Sequence, residues 1–357
     1  GGSPDESLRD WIVVKSDGLP LLADCLSRHL VGTDYATVEG EFVTGKSVHD
    51  LDEDWKSKVI PHDAKGIISE RLERLEKNNR DIYTMVCRAA LQGREFDDHW
   101  VQRSFADIND QNFSLPVVHD KLEIAEKHHA ILSSAEELDT DDILQYAYTH
   151  SSLHEACRDQ LKTHTAAEVY RLLARYCSER LEGCSDPLKI SKYAGVRCDS
   201  WSEISQTSNG LKSEEDFQQA IESSIFLATH AHSMGSNDTV LENIHDALRY
   251  AENYCAAHGT SDVAHRYLAT VCSDWLAKDS NEKGDNLTAD KYHQKSLTAA
   301  KKALTLSGLV KNKVFVCMQL LSQAAFIKDS KGSGQRDILI EASALANEAF
   351  EESSSEG

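Results

Sequence analysis

Apolar residues recur at helical spacing through most of the chain. LPLLADCLSRHL (19–30) follows Gly18 and carries Pro20 early in its first turn, where the missing N–H costs no hydrogen bond. Ile67, Ile68, Leu72 and Leu75 form one helical face, and Ile82, Met85, Val86, Ala89 and Leu91 form another that Gly93 ends. Leu115–His128 repeats the pattern with Val118, Leu122 and Ile124. Two alternating pieces, AILSS near residue 131 and ILQYAYTH up to His150, flank the acidic turn EELDTDD and predict short strands. Helical segments resume at SSLHEACRDQL, TAAEVYRLLARYCSERLEG and LKISKYAGVRCDSWSEIS, and QTSNG closes that region at Gly210.

Residues 214–352 hold an internal repeat. FLAT (226–229) and YLAT (267–270) fall in the first helices of successive pairs. ALRYAENYCAAHG, ending at Gly259, and SLTAAKKALTLSG, ending at Gly308, match as second helices. KVFVCMQLLSQAAFIKDS and DILIEASALANEAFEES make a third pair. Ala251, Ala300 and Ala346 fall at equivalent places, where a small side chain lets paired helices approach. The pattern is tetratricopeptide-like, with units longer than usual and without the W-x-x-L-G-x-x-Y signature. KDSNEKGDN is expected as a loop insertion and EESSSEG as a disordered tail. Further upstream, three helices followed by a two-stranded wing over 61–150 outline a winged helix. Its expected reading helix, KLEIAEKHH, sets acids beside its lysines, which argues against DNA.

GEFVTGKS (40–47) satisfies the phosphate-loop pattern G-x-x-x-x-G-K-[ST] through Gly40, Gly45, Lys46 and Ser47. Its surroundings do not suit the chemistry. A working loop sits between a buried strand and a helix, and curls its N–H groups around phosphates. VGTDYATVE before it is polar and broken, while Phe42, Val43 and Thr44 resist a tight nest. VHDLDEDW after it carries four acids within seven residues, which repel a triphosphate. An exposed hairpin or loop is therefore expected, with the four motif residues a decoy.

The totals narrow the classes further. The 357 residues carry only five prolines, a composition that favours helices. The formal net charge of −21 disfavours nucleic-acid backbones and anionic membranes as partners. No apolar run is long enough to span a bilayer. The nine cysteines include no C-x-x-C pair and are odd in number, so buried, reduced thiols in a cytoplasmic protein are expected rather than a disulfide framework. His230, His232, His245, His258 and His265 crowd one repeat region without metal-ligand spacing, and no metal site is expected. The start GGSPDES, without Met, is expected to be a linker or scar at the head of a fragment.

SDGLPLLADCL resembles a motif of the STAND signalling ATPases, the class that includes the NB-ARC proteins. There a G-x-P sequence follows the nucleotide-binding core and opens a helical lid. Further matches follow in the family's order. Pro61, Arg71-Leu72, Leu75, Ala89-Ala90, Gly93 and Phe96 resemble the start of its winged helix. YTHSSLHEACRDQL resembles its aromatic-x-His stretch, and HTAAEVYRLLARYCSERLEG the helix that links to a repeat array. The likeness covers residues 8–210 by motif and the remainder by architecture. GEFVTGKS falls in a segment that varies among relatives, and the family's own phosphate loop would lie upstream of Gly1.

The resemblance implies a mainly α chain. It comprises a linker (1–7), a lid segment with a variable loop (8–60), a winged-helix-like domain (61–150), linking helices (151–210), a repeat array (211–352) and a tail (353–357). It implies that Pro20 borders the adenine and His150 reaches a phosphate. On the residues alone, Pro20 equally fits a helix-start proline and His150 a wing-end or core-edge histidine. The function implied is the regulatory and sensor part of an ATP-binding signalling protein. ATP or ADP would be held by the parent's upstream core, with none expected on the isolated chain. The chain itself would have no catalytic residue, and a protein partner would bind the repeats; the parent protein could oligomerise. The alternative is a helical-repeat interaction scaffold with no nucleotide.

Overall fold

The computed structural model describes residues 3–4, 6–17, 20–32, 35–39, 42–45, 47–57, 63–106, 113–134, 143–160, 166–207, 210–329 and 335–355. Gly18, Gly40, Lys46 and Pro61 lie outside them. The chain is mainly helical and divides into two compact units, residues 1–176 and 177–357. The division falls within one helix, ahead of Gly210.

In the first unit, α1 (Glu6–Lys15) and α2 (Pro20–Gly32) precede a hairpin of β2 (Ala36–Glu39) and β3 (Phe42–Gly45), with β1 (Ser3–Pro4) parallel to β3. The expected lid segment with its variable loop (8–60) also contains α3 (Val48–Lys56). Only Leu51 and Trp55 mark its inner face, four residues apart among acids, which is too sparse for a periodicity argument. Leu51 is fully buried, and Trp55 meets Trp11 edge-on at 5.7 Å. Asp52 receives the Trp11 indole N–H at 3.0 Å and pairs with Lys15 at 2.8 Å.

Next come α4 (Ala64–Asn78), α5 (Arg80–Ala89), β4 (Glu95–Asp97), α6 (Asp98–Ala106), α7 (Leu115–Lys127), β5 (Leu132–Ser134), β6 (Gln145–Tyr148) and α8 (Ser151–Gln160). The sheet is three-stranded and antiparallel in the order β4–β6–β5, not the expected two-stranded wing. Gly93, at φ +133°, turns the chain from α5 into β4, a backbone region open to glycine. The apolar faces of α2, α4, α5, α7 and α8 and the inner face of the sheet share one core, including Leu26, Leu30, Leu72, Val86, Phe96, Leu122 and Tyr148.

Neither β4 nor α6 stood out in the sequence. Two buried carboxylates organise them. Asp97 accepts from Gln92 Nε2 at 2.6 Å, the Trp100 N–H at 2.7 Å and the Tyr176 hydroxyl at 2.6 Å. Tyr176 belongs to α9 (Ala166–Leu181), so this carboxylate fastens α9 to the start of α6. A buried anion with several donors is stable where an unpaired one is not.

The second unit comprises the end of α9, α10 (Pro187–Gln206), α11 (Glu214–Ser233), α12 (Asn237–Ala257), the helical run 262–282, α15 (Asn286–Ser307), α16 (Val310–Asp329) and α17 (Gln335–Ser355). The run 262–282 is α13 (Asp262–Thr270), a π-helix (Val271–Ala277) and α14 (Lys278–Glu282). The three predicted pairs are present. Gly308, at φ +61°, caps α15 in the left-handed region and donates to Leu304 O at 2.8 Å. Ala251 and Ala300 are fully buried, but Ala346 is exposed and Ala342 and Ala349 face inward instead. Much of the expected loop KDSNEKGDN is helical as α14, and α17 continues to Ser355 through residues expected in a disordered tail. Among the described residues, no helix is long and apolar enough to cross a membrane.

Candidate functional site

Sequence and resemblance single out Pro20, His150 and the motif 40–47. Within that motif, Phe42–Gly45 is β3, laddered to β2 with Phe42 opposite Glu39 and Gly45 opposite Ala36. An extended, paired strand does not present a curl of N–H groups to a phosphate. Ser47 caps α3: its hydroxyl accepts from the Asp50 N–H at 3.3 Å and donates to Asp50 Oδ2 at 2.8 Å. The hydroxyl is thus engaged with an acid of its own helix.

Pro20 is the first residue of α2. One turn on, Asp24 pairs with Arg28 at 2.8 Å and lies 3.0 Å from His150 Nε2. Residues four apart stack on one helix face. His150 sits in the corner between β6 and α8. Thr149 locks that corner by donating its N–H to Ile131 O at 3.1 Å, and His150 O accepts the first α8 bond, from His154 N at 3.2 Å. His154 Nε2 lies 2.8 Å from Ala90 O, which pins α8 to the end of α5. Burial raises the Asp24 carboxyl's pKa, yet the hydrogen bonds and charges of Arg28 and His150 outweigh it and leave the pKa below the ordinary carboxylate value.

Around α2, further cations come from α4. Arg71 donates through Nη2 to His129 O at 2.5 Å, while its buried Nη1 has no partner among the described residues. Arg74 Nη2 is 3.3 Å from His29 Nδ1 and its Nε is 3.9 Å from Glu70. A guanidinium only donates, so His29 Nδ1 is the acceptor and the neutral ring carries its proton on Nε2. Glu70, 3.7 Å from the same nitrogen, pairs with Arg74 rather than with a charged imidazole. Burial first, then Arg74 and Arg71, lower the His29 pKa to about 4. The partly exposed His150 thus has Asp24 and its partner Arg28 beside it, the buried His29 has Arg74 and Glu70, and Arg71 interacts electrostatically with Arg28, Asp24 and Arg74. This arrangement can orient an imidazole and attract an anion. Periodicity cannot show this, since Arg71 and Arg74 read as the solvated face of an amphipathic helix.

A second pair of imidazoles flanks Asp98, which is fully buried: His119 Nε2 bonds one oxygen and His99 Nδ1 lies 2.9 Å from the other. FDDHW, consecutive acids opening a helix, is the signal that sequence reasoning passed over. Of the crowded histidines, His230 meets Ser191 at 2.8 Å, His258 meets Lys212 O at 3.1 Å, and His265 meets Gly259 O at 3.3 Å. No group of three metal-ligating side chains occurs among the described residues. Among the described residues the cysteines form no disulfide; six are buried and Cys184, Cys198 and Cys255 partly exposed. Compared with known proteins, the chain matches no family model, no curated protein and no solved structure.

Proposed function

We propose that the chain is the regulatory and sensor portion of a STAND-type ATP-binding signalling protein, with a winged helix over 61–150 and tetratricopeptide-like repeats after it. The observation that carries the proposal is the 3.0 Å contact from His150 to Asp24. It ties the β6–α8 corner to α2 across 126 positions, one helical turn from Pro20. The resemblance sends Pro20 and His150 to opposite ends of one nucleotide. The winged-helix reading draws support from the strand order β4–β6–β5 alongside α5, α6 and α7, although the sheet has one strand more than the expected wing. The arginines at 28, 71 and 74 supply local positive charge in a chain of net charge −21, as a phosphate would need.

In this reading an upstream core holds ATP or ADP, and the lid and winged helix close over it. The parent protein hydrolyses ATP, while this chain contributes no catalytic group. The nucleotide can bias the switch only if its contacts differ between closed and open states. The reading gives DNA no role: on α7, Lys127 bonds Glu123 and Lys121 is 3.0 Å from Asp81, so each lysine already has an acid beside it. Val314, Met318 and Leu321 make an exposed apolar stripe on α16, which suits a protein partner. That stripe alone would also serve the scaffold alternative.

The test uses the chain extended N-terminally through the upstream core. His150→Ala is expected to release ADP faster by about tenfold or more, since a hydrogen bond to a charged group is worth roughly 1.5–3 kcal/mol. Asp24→Asn, which spares the imidazole, separates loss of the ring from loss of its anchor. An unchanged ADP off-rate in a folded His150→Ala protein would leave only the scaffold alternative.

A further inference from the structure

The helical run 262–282 changes character in its middle third, where Val271–Ala277 is π-helical. Such i→i+5 segments are rare, are mostly single-turn bulges, and concentrate at functional sites. VCSDWLA contains no glycine or proline that would distort the helix by itself. A cavity of about 330 Å³ opens beside this stretch, bounded by α14, α15 and α16. That is the lower end of ligand-pocket volumes, about 300 Å³ and upward, so an occupant would be small.

Three features of the lining point to a ligand. His293 is only 7% exposed, and its ring makes no hydrogen bond among the described residues. Burial lowers its pKa, so a neutral ring with an unused donor and acceptor faces the cavity. Phe326 lies against it with centroids 5.0 Å apart, which gives the cavity an apolar wall. Asp274 and Lys278, both exposed at the rim, stand four residues apart in the order that favours an ion pair. They do not pair with each other. Asp274 accepts from Ser273 Oγ at 2.6 Å, and Lys278 has no charge partner among the described residues. Two opposite charges therefore stand unspent over one small cavity.

We propose that this cavity binds a small zwitterion of free-amino-acid size with an apolar side chain. Asp274 takes its ammonium, and Lys278 with the Asn281 amide takes its carboxylate. The side chain lies against Phe326 and Ala325, and His293 adds a hydrogen bond from the floor. A nucleotide or other polyanion is disfavoured, because each additional negative group would meet Asp274 with a single lysine to offset it. The site lies wholly within residues 177–357 and does not rest on the nucleotide reading.

The probe is L-leucine, titrated into the full chain by calorimetry. Two analogues each lack one charge: 4-methylpentanoate has no amine and 3-methylbutylamine has no carboxylate. Leucine is expected to bind with a Kd of about 1 mM or tighter, and each analogue about tenfold more weakly. Asp274→Asn should weaken leucine but leave 4-methylpentanoate unchanged or improved. Lys278→Met should do the converse for 3-methylbutylamine. Both positions are exposed, so the fold tolerates the changes, and the analogue series needs no variant. No saturable leucine binding, or equal affinity for all three probes, would overturn the proposal.

Discussion

His29 lies on α2 at 1% exposure, with its Nδ1 turned to Arg74. Arg71, Arg74 and Glu70 are the charges that face it, and its pKa of about 4 lies below the ordinary 6.5. As pH falls, the unfolded chain takes up this proton first. Between about pH 6.5 and about pH 4 the unfolded state binds more protons, so stability falls with falling pH through that window. Above it the contribution is flat, and below it nothing further is lost. The gap corresponds to about 3 kcal/mol. Urea unfolding at pH 7 and pH 4 should show His29→Gln losing less stability than wild type by about that amount. Parallel losses in the two proteins would mean that His29 already accepts a proton in the folded state. The same residue scale decides His150: the 3.0 Å contact to Asp24 is a matter of one side chain reaching one other.

At the scale of elements, GEFVTGKS shows how a motif and a structure part company. The pattern specifies residue types, but phosphate binding needs the backbone of those residues to curl. Here β3 is held straight by β2, and Ser47 is occupied as the α3 cap. The chain by itself should give no calorimetric response to magnesium-ATP at micromolar concentration, and Lys46→Ala should match it. Ser47→Ala should instead cost about 1 kcal/mol in chemical denaturation, the usual value of a lost N-cap. Tight ATP binding abolished by Lys46→Ala would reverse this assignment. α3 also shows why short helices escape detection. Its place is set by Leu51 in the core and by Asp52 between Trp11 and Lys15, contacts that span about forty positions of chain.

At the scale of the whole molecule, α10 belongs to the second of the two compact units. Within that unit α10 packs on α11, and burial raises the Tyr250 pKa on α12 while Ser202 and Ser205 of α10 act to lower it. Trp201 and Ile204 are buried there at 6% and 0% exposure. Residues 187–355 should therefore fold alone as a helical protein with a cooperative melt. Starting at 211 should lower the melting temperature by roughly 10 °C, because the burial that α10 supplies is lost. Equal melting temperatures for the two fragments, followed by circular dichroism, would show α10 to be dispensable and restore Gly210 as the boundary.

The sequence by itself determined the helical class, the helices α2, α4, α5 and α7, the strands flanking EELDTDD and the helices after residue 210. Those features rest on local periodicity, and burying a regular apolar stripe leaves a regular trace in the chain. It also determined that the residues around Gly40–Ser47 are poor in phosphate-loop chemistry. Only the tertiary structure decided β4, α6 and α3, because short elements are specified by long-range partners such as Asp97 with Tyr176 and Trp11 with Asp52. It also decided that Ala346 faces solvent while Ala342 and Ala349 do not, since a terminal helix is covered on fewer sides. The meeting of His150 with Asp24, and of His293 with a cavity beside a π-helix, has no local signature at all. Such sites are made by packing residues that are distant in the chain, and a pattern read along one strand of text carries no record of which of its polar residues will be brought together.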